Sequence, residues 1–596
     1  MKRKYHILSI IISAALLAGC LSACGESGTA TGGSSSDENT AATVTGGDAA
    51  TTPDTTADVE APDVSGATTI ALSGQSATAT GTGAEVTDGV VTITAGGTYV
   101  VTGTMTEGRI LVNAPKEEVT LVLQDAAITC STGSPLYVYK SKATILYLPE
   151  GTASTLTDGT DYTFSDSYSS AEEEEPNACL YSKSDLIIAG SGSLTVNANY
   201  NNGITGKDTL FIQKASVTVT AVNHGINGKD SLTIKDADIT VTSGGDALRS
   251  TNDSDPTLGY LVITGSALKL TAGEDGIQAE TTLTISGGTA TVTTAGGAGQ
   301  SISDDISAKG LKAGTQVTVT GGTFQLNCCD DAIHSNGDVT ISGGSFTIAT
   351  GDDGMHADDT LSISSGTIDI TRSYEGLEGA KVLISGGKIS IVASDDGINA
   401  AGGSDQSGFG GFGFAPDAFG GSGDYLIRIS GGMVTVNASG DGIDSNGDIE
   451  VTGGELYIIG PTSNGDGTID CDGSATITGG IVVAAGSTGM AENFGTASTQ
   501  GSILVNLSGS AGQTIILKDS DGNILASFTP AKAFGCVVVS APGVAQGGTY
   551  TIAAGGASTT VTMESLIYGS GMGGFGGMGG GQQPPQGGVG GPGNRG

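Results

Sequence analysis

A three-residue pattern, Asp-Gly-Ile or a near variant, recurs through the middle of the chain, and its spacing restricts the fold more than any other feature. Its central small residue stands at Gly203, Gly225, Ala247, Gly276, Gly310, Ala332, Gly354, Gly376, Gly397, Gly442 and Gly467, with successive spacings of 22, 22, 29, 34, 22, 22, 22, 21, 45 and 25 residues. A floor near 22 with occasional longer gaps is one structural unit with loops inserted at some turns. Within one unit, the stretch DGMHADDTLSISSGTIDIT, Met355 opens a first short strand, Leu361 to Ile363 forms a second and Ile368 to Ile370 a third. Apolar residues alternate with polar ones along each, so one face of every strand points inward. Stacked units pair each strand in parallel with its counterpart one repeat away. The sequence therefore predicts an all-β fold, a right-handed parallel β-helix of 22-residue coils with N- and C-terminal β caps. Propeller and sandwich repeats fit this period poorly.

The ends of the chain differ from its middle. Lys2, Arg3 and Lys4 precede an apolar run from Ile7 to Ala18, too short to span a bilayer, and Leu17-Ala18-Gly19-Cys20 follows. This resembles a bacterial lipobox, which implies a signal peptide over residues 1–19, lipidation at Cys20 and a cell-membrane lipid anchor outside the cell. Leu21 to Cys24 is a second match, so Cys24 stays open as the lipidated residue. Residues 20–65 are mostly Thr, Ala, Gly, Ser and Asp and read as a disordered tether, and 569–596 as a Gly/Pro-rich disordered tail. Between them lie an N-terminal β cap with first coils (66–176), the repeats (177–490, with a Gly/Phe loop inserted at 402–424) and a C-terminal β segment (491–568). The six other cysteines are scattered without a CxxC and read as small buried hydrophobes.

Charge narrows the partners. The 596 residues carry 23 Lys and Arg against 62 Asp and Glu, a formal net charge of −39, which repels nucleic acid and concentrates divalent cations. The acids are not spread evenly. Residues 330–400 hold 12 acids against Arg372, Lys381 and Lys388. Asp330, Asp331, Asp352, Asp353, Glu375, Asp395, Asp396 and Asp441 fall at equivalent corners of consecutive repeats, and His334, His356, Glu378, Asn399 and Asp444 form a second column beside them. Neighbouring strands lie about 4.8 Å apart and calcium binds oxygen at about 2.4 Å, so calcium fits between stacked carboxylates that otherwise repel. The predicted metal ligands are Asp330, Asp331, Asp352, Asp353, Glu375, Glu378, Asp395, Asp396, Asp441 and Asp444. A turn-capping role explains one Asp per corner but not two. Corner glycines supply positive φ in this reading, His334 and His356 are outward ladder residues, and Glu172 to Glu175 form a solvated loop.

The stretch NACLYSKSDLIIAGSGSLTVNANYNNGITGKDTLFI, its GKD echo at Gly228 to Asp230, and the segments GGTYVVTGTMTEGRILVNAP and AGQTIILKDSDGNILASFTP resemble the carbohydrate-binding β-helix family of clostridial surface proteins, similar to the family 9 pectate-lyase fold. The resemblance covers roughly residues 66 to 565. It implies calcium-dependent binding of acidic polysaccharide such as polygalacturonate, with cellulose as a further ligand, in a family with no demonstrated lyase activity. Two alternatives stay open: a calcium-dependent pectate lyase using Lys312, Arg249 or Lys381 as base, and a structural or adhesive surface protein whose calcium only stiffens the repeats.

Overall fold

The computed structural model describes residues 58–303, 306–401 and 424–569, all within the compact unit Asp54–Gly596. The leader, Cys20, Cys24, residues 20–57 of the expected tether, residues 402–423 of the inserted loop and the tail from 570 lie outside the described residues. Asp58, near the end of the expected tether, is fastened to the body: it accepts a hydrogen bond from Gln213 Nε2 (2.8 Å) and pairs with Lys214 (2.5 Å) and Lys235 (3.0 Å).

Among the described residues every regular element is a β-strand. Each repeat strand pairs in parallel with the strand one repeat later: Ile333 with Met355, Met355 with Leu377, Leu377 with Ile398, and Ile398 with Ile443. Alternation then builds apolar ladders. Leu232, Leu261, Leu283, Val317, Val339, Leu361, Val382, Ile427 and Ile449 are successive partners, and all are fully buried. Phe324 and Phe346 extend the same logic to aromatics, stacked at 4.6 Å. Burial of a Val, Leu or Ile is worth about 1.5–3 kcal/mol, so these ladders supply the main drive to fold. Cys130, Cys179, Cys328, Cys329 and Cys536 are free and buried, as expected of small hydrophobes, and Cys471 is half-buried.

The expected right-handed parallel β-helix with N- and C-terminal β caps is corrected. The parallel sheet is closed, a twelve-strand barrel with extra strands outside it. A repeat period specifies which strand neighbours which; it does not specify how the edges of the sheet are disposed. At the N-terminal end Thr68–Gly74 pairs antiparallel with Ser76–Thr80, and at the C-terminal end Phe534–Ser540 pairs antiparallel with Ile481–Gly486 and Ser502–Gly509, so these edges are covered. A separate four-stranded antiparallel sheet follows at Ile515–Lys518, Ile524–Phe528, Thr549–Ala554 and Ala557–Thr562. The local register of the ladders, which positions the acidic columns, rests on the pairings themselves.

The two kinds of corner glycine serve different ends. Gly366, in the SSG corner, has φ = 115° and needs the freedom of glycine. Gly354, in the DG corner, does not have positive φ, contrary to expectation; a Cβ there would sit 2.5 Å from the Gly376 carbonyl oxygen and 2.6 Å from Ile370 Cδ1. Close approach of the next repeat sets that position.

Candidate functional site

The corner acids are explained first by backbone chemistry. Asp353 N–H donates to Asp331 Oδ1 (3.0 Å), Glu375 N–H to Asp353 Oδ1 (3.1 Å), and Asp441 N–H to Asp396 Oδ1 (2.5 Å). Asp275 N–H likewise donates to Asp246 Oδ1 (3.1 Å), and Lys309 N–H to Asp275 Oδ1 (2.8 Å). Each such acid caps the corner of the following repeat rather than its own turn. One carboxylate oxygen is therefore structural, and the other carries the chemistry.

The second column assembles as its spacing predicts. His334 pairs with His356, His356 with Glu378, Glu378 with Asn399 and Asn399 with Asp444 across adjacent strands, and Asp470 continues the line. Both imidazoles are 3% exposed, so they are buried members of the column rather than outward residues.

Toward the N-terminal side the negative charge is met by fixed cations. Asp246 Oδ2 lies 3.2 Å from Arg249, and Asp275 Oδ2 lies 3.2 Å from Lys312 Nζ. Lys309 Nζ reaches Asp330 Oδ1 (2.9 Å) and Asp331 Oδ2 (2.7 Å), while His334 Nδ1 lies 2.9 Å from Asp331 Oδ2. Burial would raise the Asp331 carboxyl, but Lys309 and His334 outweigh it and hold it well below the usual range. Asp330, Asp331 and Asp352 place carboxylate oxygens within 4.8 Å of one another, yet Lys309 already holds two of them. Lys309 is absent from the candidates that the acidic pattern supplies. Its signal is positional, since it directly precedes Gly310, where other repeats carry Asp331 or Asp353.

The middle is mixed. His356 Nδ1 lies 2.9 Å from Glu378 Oε2 and 3.3 Å from Asp353 Oδ2, and Nε2 lies 3.3 Å from Asp358 Oδ1. Burial alone would lower the His356 pKa, but Asp353 and Glu378 push it up to about 12.

Further along, burial and repulsion among the acids dominate. Burial, then repulsion from Glu378 and Asp396, raises the Glu375 carboxyl well above its ordinary value. Burial with Asp441 and Asp395 pushes Asp396 up to about 8, and burial with Asp470 and Asp444 pushes Asp441 up to about 7. Two acceptor atoms in this stretch are buried with no hydrogen-bond partner, Glu375 Oε2 and Asn399 Oδ1. Asn399 is 7% exposed, and its amide nitrogen donates to the other Glu375 oxygen at 3.1 Å. Buried acceptors without donors are costly, and an oxygen-seeking cation satisfies them. Among the described residues Glu375, Asp395, Asp396, Asp441 and Asp444 do not form a compact group of three ionisable ligands. The Asn399 amide is an oxygen ligand that a reading of charges alone passes over.

The Glu172 to Glu175 run is not wholly a solvated loop. Glu175 is 8% exposed and pairs with Lys183 (2.6 Å) and Lys207 (2.8 Å). Burial pulls its carboxyl upward, but the two lysines outweigh this and hold it at about 2. A depressed carboxyl pKa stabilises the fold above the unfolded value of about 4.3, and the contribution disappears as pH falls through the folded value. Glu175→Gln should therefore cost about 1–3 kcal/mol at pH 7, discounted for the exposure of Lys207, and almost nothing near pH 2, as read by urea denaturation.

A cavity of about 750 Å³ lies in the C-terminal region, lined by Glu492, Phe494, Gln546 and Ile567 among others, and none of the predicted metal residues lines it.

Comparison with known proteins gives three findings. A family model described as "Carbohydrate-binding domain-containing protein" matches residues 87–354 and 352–566. A protein of the same description from Acetivibrio thermocellus is 42% identical over 204 residues, which are 34% of this chain and 70% of that protein. A solved polysaccharide lyase-like protein from C. thermocellum, in a gadolinium derivative, is 34% identical, and the match covers 39% of this chain and 92% of that chain with a TM-score of 0.37.

Proposed function

Since this chain belongs to the family of carbohydrate-binding domain-containing proteins, we propose that it binds an acidic polysaccharide of the polygalacturonate type through calcium held on its acidic column. The observation that carries this reading is the pair of buried, donorless acceptors Glu375 Oε2 and Asn399 Oδ1 within a run of carboxylates raised by burial and by one another. A chain of formal charge −39 repels a polyuronate unless a divalent ion bridges carboxylate to carboxylate.

The ten proposed ligands divide by their surroundings. Glu375, Asp395, Asp396, Asp441 and Asp444, joined by the Asn399 amide oxygen, offer only hard oxygen ligands, which suit calcium. Asp330, Asp331, Asp352, Asp353 and Glu378 belong to the stretch that Lys309, His334 and His356 serve, and are the weaker half of the set. In the same reading Cys20 carries a lipid that holds the chain at the outer surface of the cell membrane, where a polymeric glycan is accessible. The test is retention of the purified chain on immobilised polygalacturonate, with calcium and with chelator; cellulose serves as the neutral comparison. Equal retention in calcium and chelator overturns the calcium bridge, and no retention on either polymer overturns the ligand.

A further inference from the structure

His356 differs from the other histidines of the column in what surrounds it. His334 lies beside Asp331, but the same Asp331 oxygen is already 2.7 Å from the Lys309 ammonium, so a fixed cation occupies that corner. His224 accepts the Asp246 N–H at Nδ1 (3.0 Å) and has the Arg249 guanidinium 2.9 Å from Nε2. His356 has neither. Its Nδ1 faces two carboxylate oxygens, Glu378 Oε2 at 2.9 Å and Asp353 Oδ2 at 3.3 Å, and Asp358 Oδ1 lies 3.3 Å from the opposite ring nitrogen. Glu378 and Asp353 also hydrogen-bond each other, so two acids share one corner.

The three ligand atoms lie within 4.8 Å of one another, close enough to share one ion. Ligands about 2.1 Å from a small divalent ion stand roughly 3.0 Å apart at octahedral angles and roughly 3.4 Å apart at tetrahedral ones. The two contacts of Nδ1, at 2.9 and 3.3 Å, are hydrogen bonds here and are short enough for an ion to take the proton's place between the same atoms. Carboxylate against Nε2 is the arrangement that fixes an imidazole tautomer with the Nδ1 lone pair directed at a metal. Charge points the same way. Two carboxyls held against each other, as Asp353 and Glu378 are, can both ligate a single dication. An imidazole ligand also separates this site from the oxygen-only stretch, because calcium takes oxygen and first-row transition ions take nitrogen.

We propose that Asp353, His356 and Glu378 form a site for a divalent transition metal of the zinc or cobalt class, with Asp358 as a positioning residue behind the imidazole. The pattern is short in sequence: Asp353 and His356 are three residues apart at the opening of the strand Met355–Ile363, and Glu378 is the register partner of His356 on Leu377–Ile384. Both buried ligands are 3% exposed, and the Glu378 side chain, at 17%, is the side from which an ion enters. The site shares Asp353 and Glu378 with the weaker half of the proposed calcium set, and its imidazole is what selects a transition ion over calcium there.

The test is a Co²⁺ titration of the chelator-stripped protein in millimolar calcium, followed by visible absorption, with Zn²⁺ as competitor. The expected result is a saturating new absorption band that excess zinc removes and calcium does not. His356→Gln should abolish the band. Glu378→Gln should weaken binding tenfold or more, and Asp358→Asn should weaken it roughly 10–100-fold while leaving the band shape unchanged. Glu173→Gln, an exposed acid outside the column, should leave both unchanged. If His356→Gln does not fold, Glu378→Gln gives the same reading at the more exposed ligand. The proposal is overturned by a cobalt spectrum that stays that of the free ion, by a band that survives His356→Gln, by Glu378→Gln binding cobalt as tightly as the parent, or by displacement with calcium.

Discussion

Calcium added to the chelator-treated chain should raise its melting temperature by several degrees, with a gain that grows with pH. The direction follows from Glu375, Asp396 and Asp441. Burial and mutual repulsion raise their folded-state pKa values, Asp396 to about 8 and Asp441 to about 7. Without metal, the folded state binds protons there that the unfolded chain has released, so stability is greatest below the unfolded carboxylate pKa and is lost as pH rises through about 7 to 8. Calcium replaces those protons. At about 100 times its Kd, an ion that binds only the folded state adds ~2.7 kcal/mol. Differential scanning calorimetry at pH 5 and pH 8, each with calcium and with chelator, measures all four corners of this cycle. The metal-free chain should melt lower at pH 8 than at pH 5, and calcium should close most of that gap. The double variant Glu375→Gln with Asp396→Asn should melt higher than the parent in chelator at pH 8 and gain little from calcium. Glu173→Gln, an exposed acid outside the column, should change neither value. Identical melting curves with calcium and chelator would remove the metal from the proposal.

Much of this arrangement is legible in the amino-acid order, because it depends on period alone. The buried ladder from Leu232 to Ile449 and the column from His334 to Asp444 are both consequences of a 22-residue step applied to alternating residues. What period cannot supply is the identity of the partner at each step. Lys309 occupies a corner that elsewhere is acidic, and one such replacement turns a candidate calcium corner into an ion-paired one. The Asp331 and Asp353 side chains cap the following repeat, a contact spanning 22 residues that a turn-capping rule assigns to the wrong backbone. Glu175 finds Lys183 and Lys207, each just past the end of a strand, which the acidic run around it conceals. Closure of the sheet into a barrel is likewise not specified by the repeat period, which sets only which strand neighbours which.

Retention on polygalacturonate should need calcium and proceed without cleavage, and the candidate bases explain why the two outcomes separate. β-Elimination requires a base that can take the proton beside the uronate carboxylate. Lys312 Nζ lies 3.2 Å from Asp275 and 2.9 Å from Ser307 Oγ, Arg249 pairs with Asp246, and Lys381 Nζ lies 2.6 Å from Asp424. Each cation already donates to a carboxylate of this chain and must leave that partner before it can meet a substrate proton. The expected result is a polymer-bound fraction that vanishes with chelator and falls at high salt, with no growth in the ultraviolet absorbance of an unsaturated uronate. Glu375→Gln with Asp396→Asn should reduce retention at least tenfold, a change of about 1.4 kcal/mol or more. Lys312→Ala and Lys381→Ala should leave retention near the parent level, because neither side chain belongs to the oxygen-only stretch. Absorbance that grows with time and is lost in Lys312→Ala or Lys381→Ala would instead identify a calcium-dependent lyase, with the acidic column holding the ion that acidifies the substrate and the lysine freed from its carboxylate when the polymer binds.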